Sequence, residues 1–207
     1  MLVHVSEPSS ESARRAERTR TTAETDISIS VVVDGEGRTD CSTGLPFFDH
    51  MLDQLGRHGG MDLRVAAKGD ISVDAHHTVE DTGILLGQTL GAALGDKAGV
   101  RRFASIRVPL DEALVEAVVD LSGRPFVHYE VEPPGEKILG DPPFDPQLME
   151  EFWRAFAGGA AITLHVTYIR GRNTHHVIEA SVKAVARALR DAMRVEGGGV
   201  PSTKGVL

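Results

Sequence analysis

Apolar and polar positions alternate through Ile27-Ser28-Ile29-Ser30-Val31-Val32-Val33, and the pattern stops at Asp34-Gly35. β-Branched alternation ahead of a turn dipeptide predicts a strand. Residues 1 to about 20 have no such period: Arg14, Arg15, Arg18 and Arg20 are interleaved with Glu7, Glu11 and Glu17. They read as a solvated tail with no apolar signal-peptide core, and ordered structure is expected from about Glu24. Over residues 47 to about 57 the period turns helical, with Met51, Leu52 and Leu55 on one side. Strands are predicted at 62–67 and 71–73 around the turn Lys68-Gly69-Asp70. A long helix over 76 to about 94 follows, its stripe running Val79, Gly83, Leu86, Leu90, Leu94. Strand-like segments return at 104–109, 114–120 and 126–131. Residues 132–146 hold five prolines and two glycines and must be a loop. A helix over 146–157, a strand over 162–170 and a second long helix over 175 to about 193 complete the pattern, before a Gly-rich tail.

This is one set of elements written twice. Placing His76-His77-Thr78-Val79-Glu80 on His175-His176-Val177-Ile178-Glu179 aligns both His pairs and both Glu residues. The stripe then stays in register, down to Leu94 on Met193. Upstream, Asp49-His50-Met51 falls on Glu150-Glu151-Phe152, and Ser42-Thr43-Gly44-Leu45-Pro46-Phe47 resembles Leu121-Ser122-Gly123-Arg124-Pro125-Phe126. The expected architecture is α+β, a duplicated unit in which each half is a small, mostly antiparallel sheet with two helices on one face. The expected organisation is a flexible tail over 1–20, repeats over 21–102 and 103–195, and a substrate-binding tail over 196–207.

Composition narrows the partners. The chain has 207 residues, 22 Lys and Arg against 30 Asp and Glu, and a formal charge of −8. That balance argues against binding duplex nucleic acid through total charge. No apolar run approaches the length of a membrane span. The single cysteine, Cys41, rules out an internal disulfide framework and fits a reducing, cytoplasmic compartment. The unusual quantity is nine histidines, four of them in two adjacent pairs.

Those pairs suggest metal. On a helix, residues four apart lie about 40° from each other in projection, so His76 and Glu80 share a face. Adjacent residues lie about 100° apart, so one ion cannot easily take both rings of a pair. Two ions or two sites suit the pattern. His175, His176 and Glu179 repeat it, and the repeat alignment adds His50 and Glu151. These eight candidates are nitrogen or carboxylate donors without sulfur, which favours Mn, Zn, Fe or Ni over a thiolate zinc site. Glu151, beside Glu150, also fits a solvated face. His4 fits the tail, and His128 and His165 fit packing or surface positions. Cations beside Gly, Pro or Ser (Arg102, Arg124, Lys183 and Lys204) suit an anion, although no nucleotide P-loop is present.

The segments Phe47-Phe48-Asp49-His50-Met51-Leu52, Asp74-Ala75-His76-His77-Thr78-Val79-Glu80-Asp81, Asp120-Leu121-Ser122-Gly123-Arg124-Pro125, His175-His176-Val177-Ile178-Glu179-Ala180 and Pro201-Ser202-Thr203-Lys204-Gly205-Val206-Leu207 resemble the imidazoleglycerol-phosphate dehydratases. The resemblance runs over nearly the whole chain from about Glu24. It implies a ribosomal protein S5 domain 2-like fold and a hydro-lyase of histidine biosynthesis that turns imidazole glycerol phosphate into imidazole acetol phosphate. It implies two Mn(2+) per active site, with Zn or Fe also compatible, and a homo-oligomer of 24 subunits built from trimers. Metal-binding roles carry over to His50, His76, His77, Glu80, His175, His176 and Glu179. Substrate and phosphate roles carry over to Gln54, His58, Arg102, Arg124, Lys183, Ser202 and Lys204. Catalytic roles fall on Glu24, Glu80, Glu179, Lys183 and Asp111. The family usually has His where this chain has Glu151. From the chemistry of the substrate, the route expected is through a metal-bound imidazolate, whose electron-rich ring would expel hydroxide. Two other readings of the residues stand beside it: a dinuclear metallohydrolase of a phosphate ester, and a non-catalytic assembly protein stapled by metal.

Overall fold

In a computed structural model that describes residues 14–132 and 138–207, the alternation at Ile27, Ile29 and Val31 turns these side chains into the core. They lie on β2 (Thr25–Val32), whose neighbours are β1 (Arg15–Thr21) and β4 (Asp62–Gly69), with β3 (Thr39–Ser42) outermost. β1 and β4 run antiparallel to β2, while β3 runs parallel to β4. α1 (Pro46–Gly59) joins β3 to β4, and α2 (His76–Leu94) follows β4. The second half repeats this order: β5 (Phe103–Leu110), β6 (Ala113–Asp120), β7 (Phe126–Glu130), α3 (Leu148–Ala160), β8 (Thr163–Arg170) and α4 (Thr174–Met193). Its sheet, β5-β6-β8-β7, has the same pairing directions. The duplicated α+β unit is borne out.

The helices pair across the halves. α1 packs on α4, and α2 on α3, while α2 lies on β1 and β2 and α4 on β5 and β6. The core is continuous between the sheets and includes Phe48, Phe152, Trp153, Phe156 and Leu189. Glycine sets the closeness of one helix pair. A Cβ at Gly87 would run into the Phe156 carbonyl oxygen, and one at Gly159 into that of Ile84. Bare backbone on both sides brings α2 and α3 together.

Four sequence expectations change. The tail expected over 1–20 is structured from Arg15, because β1 pairs along its length with β2; residues 1–13 lie outside the described residues. Residues 71–73 form a turn, not a strand, with Val73 exposed. The third helix begins at Leu148 and continues to Ala160, past the expected 146–157. Finally, Ser42-Thr43-Gly44-Leu45-Pro46-Phe47 leads out of β3 whereas Leu121–Phe126 leads into β7, so this part of the repeat alignment joins non-equivalent positions. Pairing sets the true equivalence, with β3 and β7 each parallel to the strand after the short helix. His128 and His165, unassigned from sequence, face each other across β7 and β8 with ring centroids 5.6 Å apart.

Candidate metal and anion site

The α1–α4 contact assembles three of the expected ligands. His50 comes from α1, and His175 and Glu179 from α4. Glu179 Oε2 lies 3.3 Å from His50 Nε2 and 2.9 Å from His175 Nε2. One donor atom from each falls within 4.8 Å of the others, and among the described residues no other group of three His, Cys, Asp or Glu does so. The helix start places the His pair: the Asn173 side chain accepts from the His175 and His176 backbone N–H groups. One turn on, Glu179 faces back to His175. Lys183 Nζ lies 2.6 Å from Glu179 Oε1. Burial pushes the Glu179 carboxyl up, but Lys183 and the two imidazoles bring it down to about 2. It is an ionised, acceptor-only group at neutral pH, as a metal ligand must be.

The second ring of each pair points elsewhere. His175 and His176 stand at 86° to one another, as do His76 and His77. His176 Nδ1 is 2.8 Å from Glu112 Oε2, and His77 Nδ1 is 3.1 Å from Asp70 Oδ2. An ionised carboxylate only accepts, so Nδ1 carries the proton and Nε2 is left as a donor to metal. Glu112 also accepts from the Arg172 and Asn173 backbone N–H groups, and these bonds with His176 hold its carboxyl at about 2. The Asp70 hydrogen bond raises the His77 pKa.

Glu24 and Glu112 are counterparts. Each sits in the turn before the second strand of its sheet, and each faces the second His of its own half. Glu24 Oε2 is 3.8 Å from His77 Nδ1. Asp111 is the more distant neighbour of His176, at 3.9 Å from Nε2. Sequence reasoning missed Glu112 and Asp70. Placing Thr25, at the start of β2, on Ala113, at the start of β6, would have exposed Glu112.

The first-half set is looser. His76 Nε2 lies 3.8 Å from Glu80 Oε2, and Glu151 stands on α3, which packs against α2. These three do not close to within 4.8 Å. The expected anion groups fall into two sets. Along the α1–α4 seam, Gln54 Oε1 is 3.1 Å from His58 Nε2, and burial, then Lys183 and Arg187, lower the His58 pKa. At the other, Arg102 grips Asp120 through Nε at 2.7 Å and donates to the Pro201 carbonyl at 2.8 Å. Its backbone is at φ 76, the left-handed region, a strained conformation for a residue other than glycine. Arg124 Nη2 is 3.8 Å from the same Asp120 and is largely exposed, and the Lys204 N–H donates to Ser202 Oγ. No hydrogen bond or ion pair among the described residues joins the two sets.

A model of the imidazoleglycerol-phosphate dehydratase family matches residues 43–189. The chain belongs to this family. Imidazoleglycerol-phosphate dehydratases of Acidothermus cellulolyticus and Ruegeria pomeroyi are each 53% identical to it, covering 94% of this chain and 93% and 100% of their own lengths. The crystal structure of the Pyrococcus furiosus dehydratase in complex with (S)-C348 superposes with a TM-score of 0.79 at 36% identity, over 92% of this chain and 100% of that one. The Staphylococcus aureus dehydratase gives 0.76 at 39% identity, over 86% and 97%. The chain is therefore an enzyme of the hydro-lyase class. His50, both His pairs, Glu112, Lys183 and both site arginines lie inside the dehydratase match, while Glu24, Ser202 and Lys204 lie outside it.

Proposed function

We propose that the chain dehydrates D-erythro-imidazole glycerol phosphate to imidazole acetol phosphate, a step of L-histidine biosynthesis. The observation that carries this reading is the His50–His175–Glu179 cluster, extended along the α1–α4 seam by Lys183, Gln54 and His58. An ionised carboxylate and two imidazoles suit a divalent ion, and a set without sulfur suits Mn(2+). His50, His175 and Glu179 would hold one ion. His76, Glu80 and Glu151 are the counterparts for a second, with His77 and His176 presenting Nε2. A bound ion supplies Lewis-acid stabilisation of negative charge on the azole ring.

The chain's own groups do the rest. Lys183, Arg102, Arg124, Ser202 and Lys204 hold the phosphate and fix the carbon chain, converting binding energy into orientation. Glu24, beside His77, moves the proton at the carbinol carbon as hydroxide leaves its neighbour next to the ring. The enol that results rearranges to the ketone, and one water is lost in total. Because no hydrogen bond or ion pair among the described residues joins the two cation sets, we read the complete site as shared between copies in a homo-oligomer, of 24 subunits from trimers. A cytoplasmic setting accompanies this reading.

The test is incubation of the protein with Mn(2+) and imidazole glycerol phosphate, following ketone, free phosphate and particle size together. Ketone without phosphate release supports the proposal. Phosphate release without ketone would make the protein a phosphoesterase, and metal-dependent particles without turnover would make it an assembly protein.

A further inference from the structure

The duplication builds two equivalent cavities, one at the end of each long helix, and their linings differ in chemistry. The cavity beside α2 is lined by Gln88, Gly91 and Gly95 and receives Leu207. By the alignment of His76 on His175, these three positions become Arg187, Arg190 and Arg194 beside α4. Those arginines line the other cavity, of about 490 Å³, together with Arg14. The fold does not require arginine at these three helix positions, since the sister cavity, whose cations are Arg18 and Lys97, forms with none on α2.

The arginine cavity is prepared for an anion. Four guanidinium groups face two lining carboxylates, Asp34 and Asp191, in a chain of net charge −8. Arg14 is fixed by two bonds to Asp34, at 2.8 and 2.6 Å, and by a third to the Met193 carbonyl at 2.8 Å. Arg194 is tied to Glu196 at 2.6 Å. Arg187 and Arg190, three residues apart on one face of α4, make no hydrogen bond or ion pair among the described residues. Gly60 leaves room for the Arg190 guanidinium, which a Cβ there would crowd at 3.2 Å. Like charges gathered without partners repel one another, and a doubly charged ligand relieves that repulsion. Planar guanidinium forks match phosphate oxygens in pairs.

We infer that this cavity is a second anion site, taking the phosphate of a small phosphate monoester or free phosphate, apart from the metal cluster. Arg190 lies eleven residues beyond Glu179, about 16 Å along the helix at 1.5 Å per residue. A phosphate a few bonds from an azole ring held at Glu179 does not reach it. The volume falls in the range of small-molecule sites.

The test titrates the Mn-loaded, assembled protein with inorganic phosphate and, separately, with glycerol 3-phosphate, by calorimetry at constant ionic strength. The expected result is one equivalent per chain beyond any taken by the phosphate grip of the catalytic site, for either or both ligands, that R190Q weakens tenfold or more and R190K partly restores. Turnover of imidazole glycerol phosphate by R190Q stays within about twofold of wild type, and its particle size is unchanged. Crystals soaked in tungstate supply a reading without mutation: an anomalous peak between Arg187 and Arg190. Equal stoichiometry and affinity in wild type and R190Q would overturn the inference. So would a smaller particle in R190Q, which would make these arginines a contact between copies.

Discussion

His50 Nε2 stands 3.3 Å from Glu179 Oε2 although 129 residues separate them in the chain. One group comes from the short helix of the first half and the other from the long helix of the second. The candidate metal cluster is thus a product of the α1–α4 contact, and neither half of the duplication builds it alone.

Glu179→Gln keeps the shape and removes the charge that Lys183 and the two imidazoles stabilise. Mn(2+) affinity should fall by at least about 100-fold, with activity falling in parallel. Metal content by atomic absorption, measured beside turnover, is the check. Full metal and full activity in this variant would remove Glu179 from the site.

Glu112→Gln tests a residue that acts through His176. The amide can still accept from Nδ1, but it no longer carries the charge that fixes the tautomer and raises ring basicity. Metal affinity should drop about 10–100-fold. A competitive chelator titration measures this, and an unchanged affinity would make Glu112 only a staple for the 172–173 backbone.

Gly87→Ala places a methyl against the backbone of α3, at the Phe156 carbonyl and the Ala160 N–H. The helices must separate, and the expected cost is about 1–3 kcal/mol. Urea unfolding of the variant should show a lowered midpoint. Gly158→Ala, where a Cβ meets nothing within 4 Å, is the control and should not lower it.

The Arg14–Asp34 pair supplies a pH dependence. Hydrogen bonding to Arg14 lowers the Asp34 pKa below its ordinary value of 3.8. A carboxyl lowered on folding stabilises the fold above its unfolded pKa, and the contribution is lost as pH falls through the folded one. Asp34 is half exposed, so the effect is small, below about 1 kcal/mol. Asp34→Asn should melt slightly below wild type at pH 7, and the gap should close toward pH 3. A gap that is constant with pH would mean that packing, and not charge, is responsible.

The sequence by itself determined the local order. Period-2 and period-3.6 runs placed most strands and all four helices, because a side chain's direction on an element depends only on its position in it. For the same reason the spacing of His175 and Glu179 puts them on one face, and the doubled His pairs disclose the duplication. β1 was not legible: as a mostly exposed edge strand of charged residues, it carries no apolar alternation. Nor was β3, only four residues long. Tertiary structure alone decided which distant groups meet. It set His50 on Glu179, Glu112 on His176, Asp70 on His77, and four arginines around one cavity. Such meetings depend on how helices cross and how closely backbones approach. Those distances come from core volume and bare glycines acting together, and no single segment encodes them.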